Sequence, residues 1–487
     1  MILPVKEIRK WDEFTIQAMD GSSTDLMQRA ASKVAGFVQE QFSGKSVAIF
    51  CGKGNNGGDG LAVGYMLNRL GFRVSLFLCQ GKEGSPDFKH FLRLCEQSGV
   101  TMSESFLSDF KADVWVDALL GTGVDRPVEG ALANWINHYN TGSGTKIAID
   151  IPSGLFGDEW EQGKGAITKN DVTITFQCLK WAFANPESIE FTGRVNIVDI
   201  GLNPDFKPDT VLAQYLGEES LDCLIPKRKL NAEKRDFGEV LILGGNIGMA
   251  GALAFAAKAA FSCGAGLVKV CSPKENRAAL QSLVPEATWQ SWEGLTQKEI
   301  SKYSSVLIGP GLGLDKQAKD LVKLCLTANP KKLILDADAI NILAKDLGDQ
   351  TLPKGSVLTP HTREFKRLCG DFSKEKERLF LQKEFCKKHA VTFLYKGPKT
   401  CVCEPNGELY INASGNPALA KGGSGDVLSG IIAAFVNAIQ PSGLAAASAA
   451  FVHGKIADVY IQHNSELSLR PEDQIEGIPK MLKSLFA

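Results

Sequence analysis

The 487-residue chain lacks the features that mark membrane, nucleic-acid-binding or zinc proteins. No apolar run approaches the roughly 20 residues of a membrane-spanning helix, so no membrane association is expected. Lysine and arginine total 54 against 55 for aspartate and glutamate, so no basic surface for nucleic acid is indicated. The 12 cysteines form no Cys-x-x-Cys pair and the 6 histidines are dispersed, so no zinc site is visible.

The N-terminal residues carry charges where a secretory signal needs an apolar core. The scattered cysteines are typical of small buried apolar residues in a reducing compartment, which predicts a cytoplasmic protein. A hydrophobic content of 44% is normal for a globular protein. A chain of this length is expected to form two or three domains.

Short apolar runs alternate with longer amphipathic stretches in two successive series. The first series has runs at 46–51, 73–79, 114–119 and 146–150, and the second begins at 240–245. Such alternation predicts an α/β fold in each half, with parallel strands joined by crossover helices. The pattern stops at 201–208, which contains two prolines, so we expect a domain boundary near 205–215 and domains at 1–212 and 213–487.

A glycine turn near the C-terminus is the most informative stretch. Glycines 422, 423 and 425 precede residues 427–439, whose apolar content suits a buried helix. The start of a helix concentrates N–H donors and the positive dipole end, which predicts a phosphate site. Asp426 lies there, where a carboxylate suits the removal of a proton from a hydroxyl under phosphoryl attack. The alternative is a helix N-cap.

A second glycine loop, at 52–60, follows a predicted strand and precedes a predicted helix. It formally satisfies GxGxxG. The next strand, however, ends at Cys79 without the acidic residue that binds ribose, so an ordinary NAD dehydrogenase is disfavoured. The loop also lacks the Gly-Lys-Ser/Thr of a phosphate-binding Walker loop.

Two further predicted strands end in polar residues at the same sheet edge. Asp117 ends one, and Asp150 and Ser153 follow the other. Together with the amide oxygen of Asn56, these oxygens suit a hard cation, with one carboxylate left for acid/base work. The alternative is that the carboxylates cap the following turns.

These strings resemble two known families in order and spacing. GKGNNGGDG (52–60), DALLGTG (117–123) and DIPSGL (150–155) resemble the YjeF N-terminal domain, the NAD(P)H-hydrate epimerase family. The later strings resemble the ADP/ATP-dependent NAD(P)H-hydrate dehydratase family; they lie at 244–252, 264–268, 309–313, 336–339, 359–364, 396–397 and 422–426. The resemblance implies a Rossmann-like three-layer domain followed by a ribokinase-like α/β domain.

The resemblance also implies a fused bifunctional enzyme that repairs hydrated NADH and NADPH. Such an enzyme interconverts the R and S hydrates and dehydrates the S hydrate, with ADP giving AMP and phosphate. The fused arrangement favours ADP, while ATP stays open as the donor. The implied cofactors are K⁺ in the epimerase half and Mg²⁺ with ADP or ATP in the dehydratase half.

Site residues follow from the same resemblance. In the epimerase half, Asp150 is the implied acid/base residue and Asn56, Asp117 and Ser153 are the implied potassium ligands. The hydrate's phosphates and ribose are expected at Asn55, Asn56, Gly57, Gly58, Asp59, Gly121, Thr122, Gly123, Val124, Asp125, Arg126 and Pro127. In the dehydratase half, the hydrated dinucleotide is expected at Ala252, Gly313, His361 and Asp426, and the adenine nucleotide at Lys396, Gly397, Pro398, Lys399, Thr400 and Gly425. Asp426 is the implied proton acceptor. The alternative for His361 is a capping core histidine, which the residue taken alone favours.

Three departures from the family pattern are Gln28, the run 233–238 and Lys421, and none removes an expected catalytic group. One alternative function is a small-molecule kinase for a vitamin precursor with an N-terminal dinucleotide-binding module. Another is an N-terminal half that only senses dinucleotides. The resemblance further implies small-molecule substrates and a homo-oligomer.

Overall fold

The structure, a computed structural model, describes residues 1–18, 21–105, 110–159, 165–217, 221, 224, 228–346, 350–412 and 414–485. The chain divides into two compact units, Met1–Leu212 (unit 1) and Ala213–Ala487 (unit 2). No helix in the described ranges is long and apolar enough to cross a membrane.

Unit 1 contains an all-parallel sheet of seven strands with helices packed on it. The strands of unit 1, in this sheet and in a separate two-stranded pair, are β1 (Ile2–Leu3), β2 (Ser46–Cys51), β3 (Arg73–Leu78), β4 (Thr101–Ser103), β5 (Val114–Ala118), β6 (Thr145–Ile149), β7 (Val172–Phe176), β8 (Leu179–Lys180) and β9 (Arg194–Val198). Its α-helices are α1 (Val5–Ala18), α2 (Ser23–Phe42), α3 (Asn55–Arg69), α4 (Pro86–Gln97), α5 (Gly130–Thr141) and α6 (Ile189–Thr192). The order is β4-β3-β2-β5-β6-β7-β9, and β1 pairs separately with β8.

The order of strands reverses between β2 and β5, since β3 and β4 lie on one side of β2 and β6 and β7 on the other. Ligands of open α/β sheets bind at such a reversal, outside the carboxyl ends of the strands. Both faces of the sheet are covered. Phe50 on one face stacks on Phe77 and Trp115 at centroid distances of 4.9 and 5.1 Å.

Unit 2 contains a mixed sheet of ten strands. Its strands are β10 (Gln214–Leu216), β11 (Glu239–Leu243), β12 (Leu267–Ser272), β13 (Thr288–Ser291), β14 (Ser305–Ile308), β15 (Leu333–Leu335), β16 (Val357–Leu358), β17 (Thr392–Tyr395), β18 (Cys401–Cys403) and β19 (Leu409–Asn412). The order is β10-β19-β18-β17-β16-β15-β14-β11-β12-β13, and β18 alone runs antiparallel to its neighbours among the described strands.

The α-helices of unit 2 are α7 (Ala250–Ser262), α8 (Arg277–Leu283), α9 (Gln297–Ile300), α10 (Lys316–Ala328), α11 (Ala337–Asp346), α12 (Thr362–Cys369), α13 (Glu375–His389), α14 (Ser424–Ala438), α15 (Ser442–Tyr460) and α16 (Pro471–Leu485). The core lies between the sheet and α7, α14 and α15, whose small buried residues allow close packing. The α/β fold predicted for each half is confirmed, and most strand bounds agree within one residue.

Candidate active sites

The predicted glycine loop of unit 1 lies at the carboxyl end of β2. Asn55 begins α3 directly after this loop, and Asn56 and Gly57 are buried in its first turn. A Cβ at Gly57 would lie 1.8 Å from the carbonyl oxygen of Gly52, so only glycine fits there. The first N–H groups of α3 therefore meet the carboxyl ends of β2 and β5.

The three predicted cation ligands converge beside this helix start. The Ser153 hydroxyl donates to Oδ1 of Asp117 at 2.5 Å, and its backbone N–H donates to Oδ2 at 2.8 Å. Leu120 connects Asn56 to the group, since its carbonyl accepts from Asn56 Nδ2 at 2.9 Å and from Ser153 Oγ at 3.1 Å. The buried Oδ1 of Asn56 accepts no hydrogen bond from the described residues.

Asp117 is fully buried, and burial raises the pKa of its carboxyl although donors from Ser153 and Thr168 oppose this. A buried carboxylate beside an unsatisfied amide oxygen is a favourable environment for a cation. The described residues contain no group of three or more His, Cys, Asp and Glu side chains that could hold a metal ion. The donors around Asn56 are amide, hydroxyl and carboxylate oxygens, a set that suits a hard ion.

Asp150 follows β6 with φ of 65°, in the left-handed region that non-glycine residues rarely adopt. Its Oδ1 accepts from the buried ammonium of Lys180, from the backbone N–H of Phe176 at 3.1 Å and from the Thr175 hydroxyl at 3.4 Å. Within the described residues no donor reaches Oδ2. The contacts hold the carboxylate at one oxygen and leave the other for a ligand.

Asp150 lines a cavity of about 170 Å³ together with Lys180, Asn55 and Asp59. The wall also contains Asp12 from α1, and burial and the nearby carboxylate of Asp150 raise the pKa of Asp12 to about 7. Burial, followed by the nearby carboxylates, raises the pKa of Asp59 well above its usual range. The cavity therefore places two carboxyl groups with raised pKa values, Asp12 and Asp59, in the same wall as a lysine-bound carboxylate.

Sequence reasoning missed Asp12 and Lys180. Neither belongs to a glycine motif, and Lys180 lies 30 residues after Asp150. A lysine in the apolar run 178–184 was the available signal for Lys180.

The predicted contacts at 121–127 lie beside the cation ligands rather than in the cavity wall. A Cβ at Gly121 would lie 3.3 Å from Cβ of Asn56, so this loop packs on the start of α3. Residues 125–127 are exposed, and the Arg9 guanidinium lies 3.4 Å from the Cβ position of Gly123. The loop is open to a ligand that extends from the cavity.

In unit 2 the predicted strings lie at the carboxyl ends of neighbouring parallel strands. Asp336 follows β15, Thr359 follows β16 and Lys396 follows β17. The Lys396 ammonium and the Thr359 hydroxyl donate to Oδ1 of the buried Asp336 at 2.8 and 2.7 Å. Burial lowers the pKa of Lys396, but the carboxylates of Asp336 and Glu364 outweigh it and the pKa is raised.

Asp426 is the third residue of α14, whose N-cap is Gly423 with φ of 96°. Glycine adopts this φ without the steric cost of a Cβ, so the turn opens the helix start to an approaching anion. No backbone N–H of the described residues donates to the Asp426 carboxylate, so the N-cap alternative does not describe it. Burial and the carboxylate of Asp336 raise the pKa of Asp426 to about 7, against the effect of Lys396.

The predicted nucleotide residues form the turn between β17 and β18, at 396–400. Gly425 faces this turn, since a Cβ there would lie 3.6 Å from Lys396 Nζ. Thr400 closes the turn by donating to the Gly397 carbonyl at 3.1 Å. The structure therefore brings the two predicted parts of this set together at Lys396.

The predicted dinucleotide contacts Ala252, on α7, and Gly313 both lie at the glycine turn 309–313. The Gly313 N–H donates to Oδ2 of Asp338 at 2.9 Å. Ala252 Cβ lies 3.2 Å from the Cβ position of Gly311, in the same glycine turn. The two residues thus share one wall beside the start of α11.

His361 is an exposed N-cap of α12. Its Nδ1 accepts from the N–H groups of Arg363 and Glu364 at 3.0 and 3.3 Å, and Glu364 returns the interaction to the His361 N–H at 2.9 Å. Burial of part of the ring, together with Lys396, lowers its pKa. Capping occupies Nδ1, and Nε2 lies 3.5 Å from Oε1 of Glu364, so both ring nitrogens lie close to groups of the helix start.

Two departures from the expected pattern lie away from the reacting groups. Gln28 is exposed on α2. The Lys421 ammonium donates to the Leu467 carbonyl, which ties the glycine turn to the segment Glu466–Ser468.

A buried hydrogen-bonded row supports the start of α14, and sequence reasoning missed it. Ser424 accepts from Gln474 Nε2 at 2.8 Å, and Gln474 Oε1 lies 2.9 Å from Nε2 of the buried His453. Burial lowers the pKa of His453 to about 4, so its ring is neutral near pH 7. The row fixes Ser424, and with it the start of α14, through buried hydrogen bonds.

Two family matches cover most of the chain. Residues 240–480 match the family described as NAD(P)H-hydrate dehydratase, and residues 23–182 match the family described as the YjeF-related protein N-terminus.

Full-length relatives agree with both matches. The chain is 32% identical to the bifunctional NAD(P)H-hydrate repair enzyme of Moorella thermoacetica, across 94% of this chain and 92% of the relative. It is 30% identical to the enzyme of the same name from Escherichia coli, across 93% of this chain and 88% of the relative.

Solved structures resemble part of the chain. An ADP/ATP-dependent NAD(P)H-hydrate dehydratase from Bacillus subtilis, co-crystallised with ATP and Mg²⁺, has a TM-score of 0.51 and 29% identity, and covers 57% of this chain and 100% of its own. A ribokinase-like superfamily protein from Enterococcus faecalis has a TM-score of 0.53 and 30% identity, and covers 59% of this chain and 99% of its own. These similarities confirm the ribokinase-like fold predicted for the C-terminal half.

Proposed function

The chain belongs to the family of bifunctional NAD(P)H-hydrate repair enzymes, and we propose that unit 1 is its epimerase and unit 2 its dehydratase. The enzyme interconverts the R and S hydrates of NADH and NADPH and dehydrates the S hydrate. The kinase alternative is not supported, because relatives that share this repair function match across both halves.

The position of Asp426 carries the dehydratase assignment. Its carboxylate lies at the start of α14, beside the Lys396–Asp336 pair and the open glycine turn. We propose that ionised Asp426 accepts the proton of the hydrate hydroxyl while that oxygen attacks the terminal phosphorus of the nucleotide. The phosphate ester then breaks at its carbon–oxygen bond and phosphate leaves. The ring nitrogen supplies the electron pair, and the neighbouring ring carbon loses a proton, which restores the dihydronicotinamide.

The nucleotide fits the turn at 396–400 and the N–H groups at the start of α14. Donors aimed at the transferring phosphoryl group stabilise the charge that develops there, an effect of about 3 kcal/mol for one donor in comparable sites. Lys396 is held in position at this turn by its ion pair with Asp336, whose Oδ1 also accepts a hydrogen bond from the Thr359 hydroxyl. We assign ADP as the phosphoryl donor. Mg²⁺ would be bound mainly by the phosphates of the nucleotide.

In unit 1, Asp150 exchanges a proton with the hydrate hydroxyl. Loss of that proton permits the carbon–nitrogen bond to open, and closure on the other face of the carbonyl carbon gives the other epimer. Lys180 fixes the carboxylate, and Asp12, with a pKa near 7, is placed to supply a proton to the ring nitrogen. The two carboxyl groups then act as a base and an acid in one cavity.

A potassium ion fits the residues around Asn56. The unsatisfied Oδ1 of Asn56 and the carboxylate of Asp117 are the donors that a hard cation prefers, and Ser153 joins them. When bound, the ion supplies a positive charge at the start of α3. These residues position the helix start and the loop at 121–127 to bind the hydrate's phosphates.

The reaction that tests this assignment uses separated R and S hydrates of NADH with the full-length chain, ADP, Mg²⁺ and K⁺. The absorbance of the reduced nicotinamide reports repair. We expect both hydrates to be restored, the R hydrate faster than its spontaneous epimerisation allows. Restoration of the S hydrate alone would reject the epimerase assignment, and restoration of neither would reject the dehydratase assignment.

We also propose that the enzyme works in the cytoplasm. The described cysteines are all free thiols and most are buried, which suits a reducing compartment.

A further inference from the structure

Unit 2 holds a second concavity of about 460 Å³ between α10, α11 and α12. Its lining includes Leu314, Lys319, Asn341, Lys345, Asp346 and Arg367, and is here called the basic pocket. None of these residues has a part in the chemistry proposed above. The basic pocket nevertheless lies close to the residues expected to bind the dinucleotide.

The basic pocket carries an excess of positive charge. Lys319 is paired with Asp346 at 2.9 Å, so this cation is neutralised. Arg367 donates to the Asn341 amide oxygen at 2.6 Å, which orients its guanidinium and leaves other N–H donors available. Lys345 forms no ion pair with the described residues and is exposed. Two cations therefore line the concavity, and neither has a carboxylate partner among the residues that the structure describes.

The basic pocket lies next to Gly313, which is expected to contact the dinucleotide. Leu314 follows Gly313 directly, and Asn341 lies one turn after Asp338, which accepts from the Gly313 N–H. Helix rise places residues 341–346 about 5–12 Å along α11 from Asp338. The basic pocket thus begins directly beside Gly313, one of the residues expected to contact the hydrated dinucleotide.

We propose that the basic pocket binds a phosphate group of the hydrated dinucleotide, away from the nicotinamide ring. This inference rests on the dehydratase function proposed above. An oriented guanidinium and a free ammonium are the groups that recognise phosphate in proteins. Leu314, with a relative exposure of 55%, adds an apolar surface on which an adenine ring can lie. The phosphate is either the 2′-phosphate of the NADPH form or the pyrophosphate common to both forms.

The test compares the full-length parent with Lys345→Ala, Arg367→Ala and the double variant. Steady-state KM is measured for the S hydrates of NADPH and of NADH at saturating ADP, and binding of NADPH and NADH is measured by calorimetry without ADP. We expect KM to rise on the order of tenfold for each charge removed, since a hydrogen bond to a charged group is lost. Lys323→Ala is the matched control, because Lys323 is exposed on α10 and does not line the basic pocket.

The two dinucleotides distinguish the two phosphates. A larger loss with the NADPH forms assigns the 2′-phosphate, and equal losses assign the pyrophosphate. KM and binding within twofold of the parent for every form would overturn the proposal. A parent that dehydrates neither hydrate would instead reject the proposed function, whereas the calorimetric comparison still tests the basic pocket.

Discussion

Replacing Asp426 with asparagine separates a chemical role from a structural one. The substitution keeps the size of the side chain and leaves the N-cap Gly423 and the support from Ser424 unchanged. It removes the group that accepts the hydrate proton. Loss of a general base costs about 10²–10⁴ in rate, which corresponds to about 3–5 kcal/mol of transition-state stabilisation.

Folding stability is expected to rise in this variant, although its rate falls. Burial raises the pKa of Asp426 from 3.8 to about 7, so the folded state holds this proton more tightly than the unfolded state. Stability from this group is therefore complete below its unfolded pKa and is lost as pH rises through the folded pKa. A pKa difference of about three corresponds to about 4 kcal/mol as an upper bound at pH 8. Asparagine carries no such cost, so the variant should be at least as stable as the parent there.

The measurements are the dehydration rate of the S hydrate at pH 8 and thermal melting at pH 5 and pH 8. We expect a loss of at least about a hundredfold in rate, and a gain in melting temperature that is larger at pH 8 than at pH 5. Asp320→Asn, an exposed change on α10, is the control for asparagine substitution as such. Turnover within threefold of the parent, with melting unchanged at both pH values, would show that Asp426 is neither the base nor a buried carboxylate.

In the parent, kcat/KM for dehydration should fall as pH drops below about 7, because Asp426 must be ionised to accept a proton; a rate independent of pH between 6 and 8 would contradict this. Asp150→Asn should lower epimerisation at least about a hundredfold and leave dehydration of the S hydrate intact, and equal loss of both in paired assays would argue for a structural effect. Lys180→Met should lower the kcat of epimerisation more than it raises KM. The free energy of unfolding should fall by about 3 kcal/mol, because Asp150 loses a buried partner. An unaltered kcat would show that Lys180 does not position Asp150. Epimerisation should need K⁺, and Asn56→Ala should raise the K⁺ concentration required, whereas equal rates in K⁺-free buffer would exclude the ion site.

The fold could be predicted from the sequence because its signals are local. The run at 46–51 is mostly apolar over one strand length and contains Val47, Ile49 and Phe50, which favour strands, and it forms β2 at those bounds. Strand alternation with helices then restricts the sheets to mostly parallel order. The alternation of Cys401 and Cys403 predicts a strand there, but the antiparallel direction of β18 was not predicted, since the run has the same composition whichever direction it takes.

The motif residues of the candidate sites could be predicted for a related reason. Glycines 52 and 57 are required where backbones approach closely. Asn56 lies in the helix start that follows β2, and Asp117 lies near the end of the adjacent strand β5. Position along a parallel strand therefore predicts the shared edge of the sheet. His361 shows the limit of this reasoning. The resemblance implies a ligand contact there, whereas the residue taken alone favours a capping histidine. The structure shows the N-cap of α12, with Nδ1 accepting backbone N–H groups and Nε2 3.5 Å from Oε1 of Glu364.

The lysines beside the two acid/base carboxylates could not be assigned roles from local pattern alone. Lys180 lies in a short apolar stretch that reads as core, and Asp150 only meets it because β7 and β8 return the chain to the end of β6. Lys396 was expected to bind nucleotide, but its observed partner is Asp336, 60 residues earlier. In both units a buried or half-buried ammonium offsets the burial of carboxylates, since an isolated buried charge would instead lose its ionised form. The requirement is therefore electrostatic and long-range: a sequence motif can identify the acid, but the compensating cation is supplied by whichever strand end the topology places beside it.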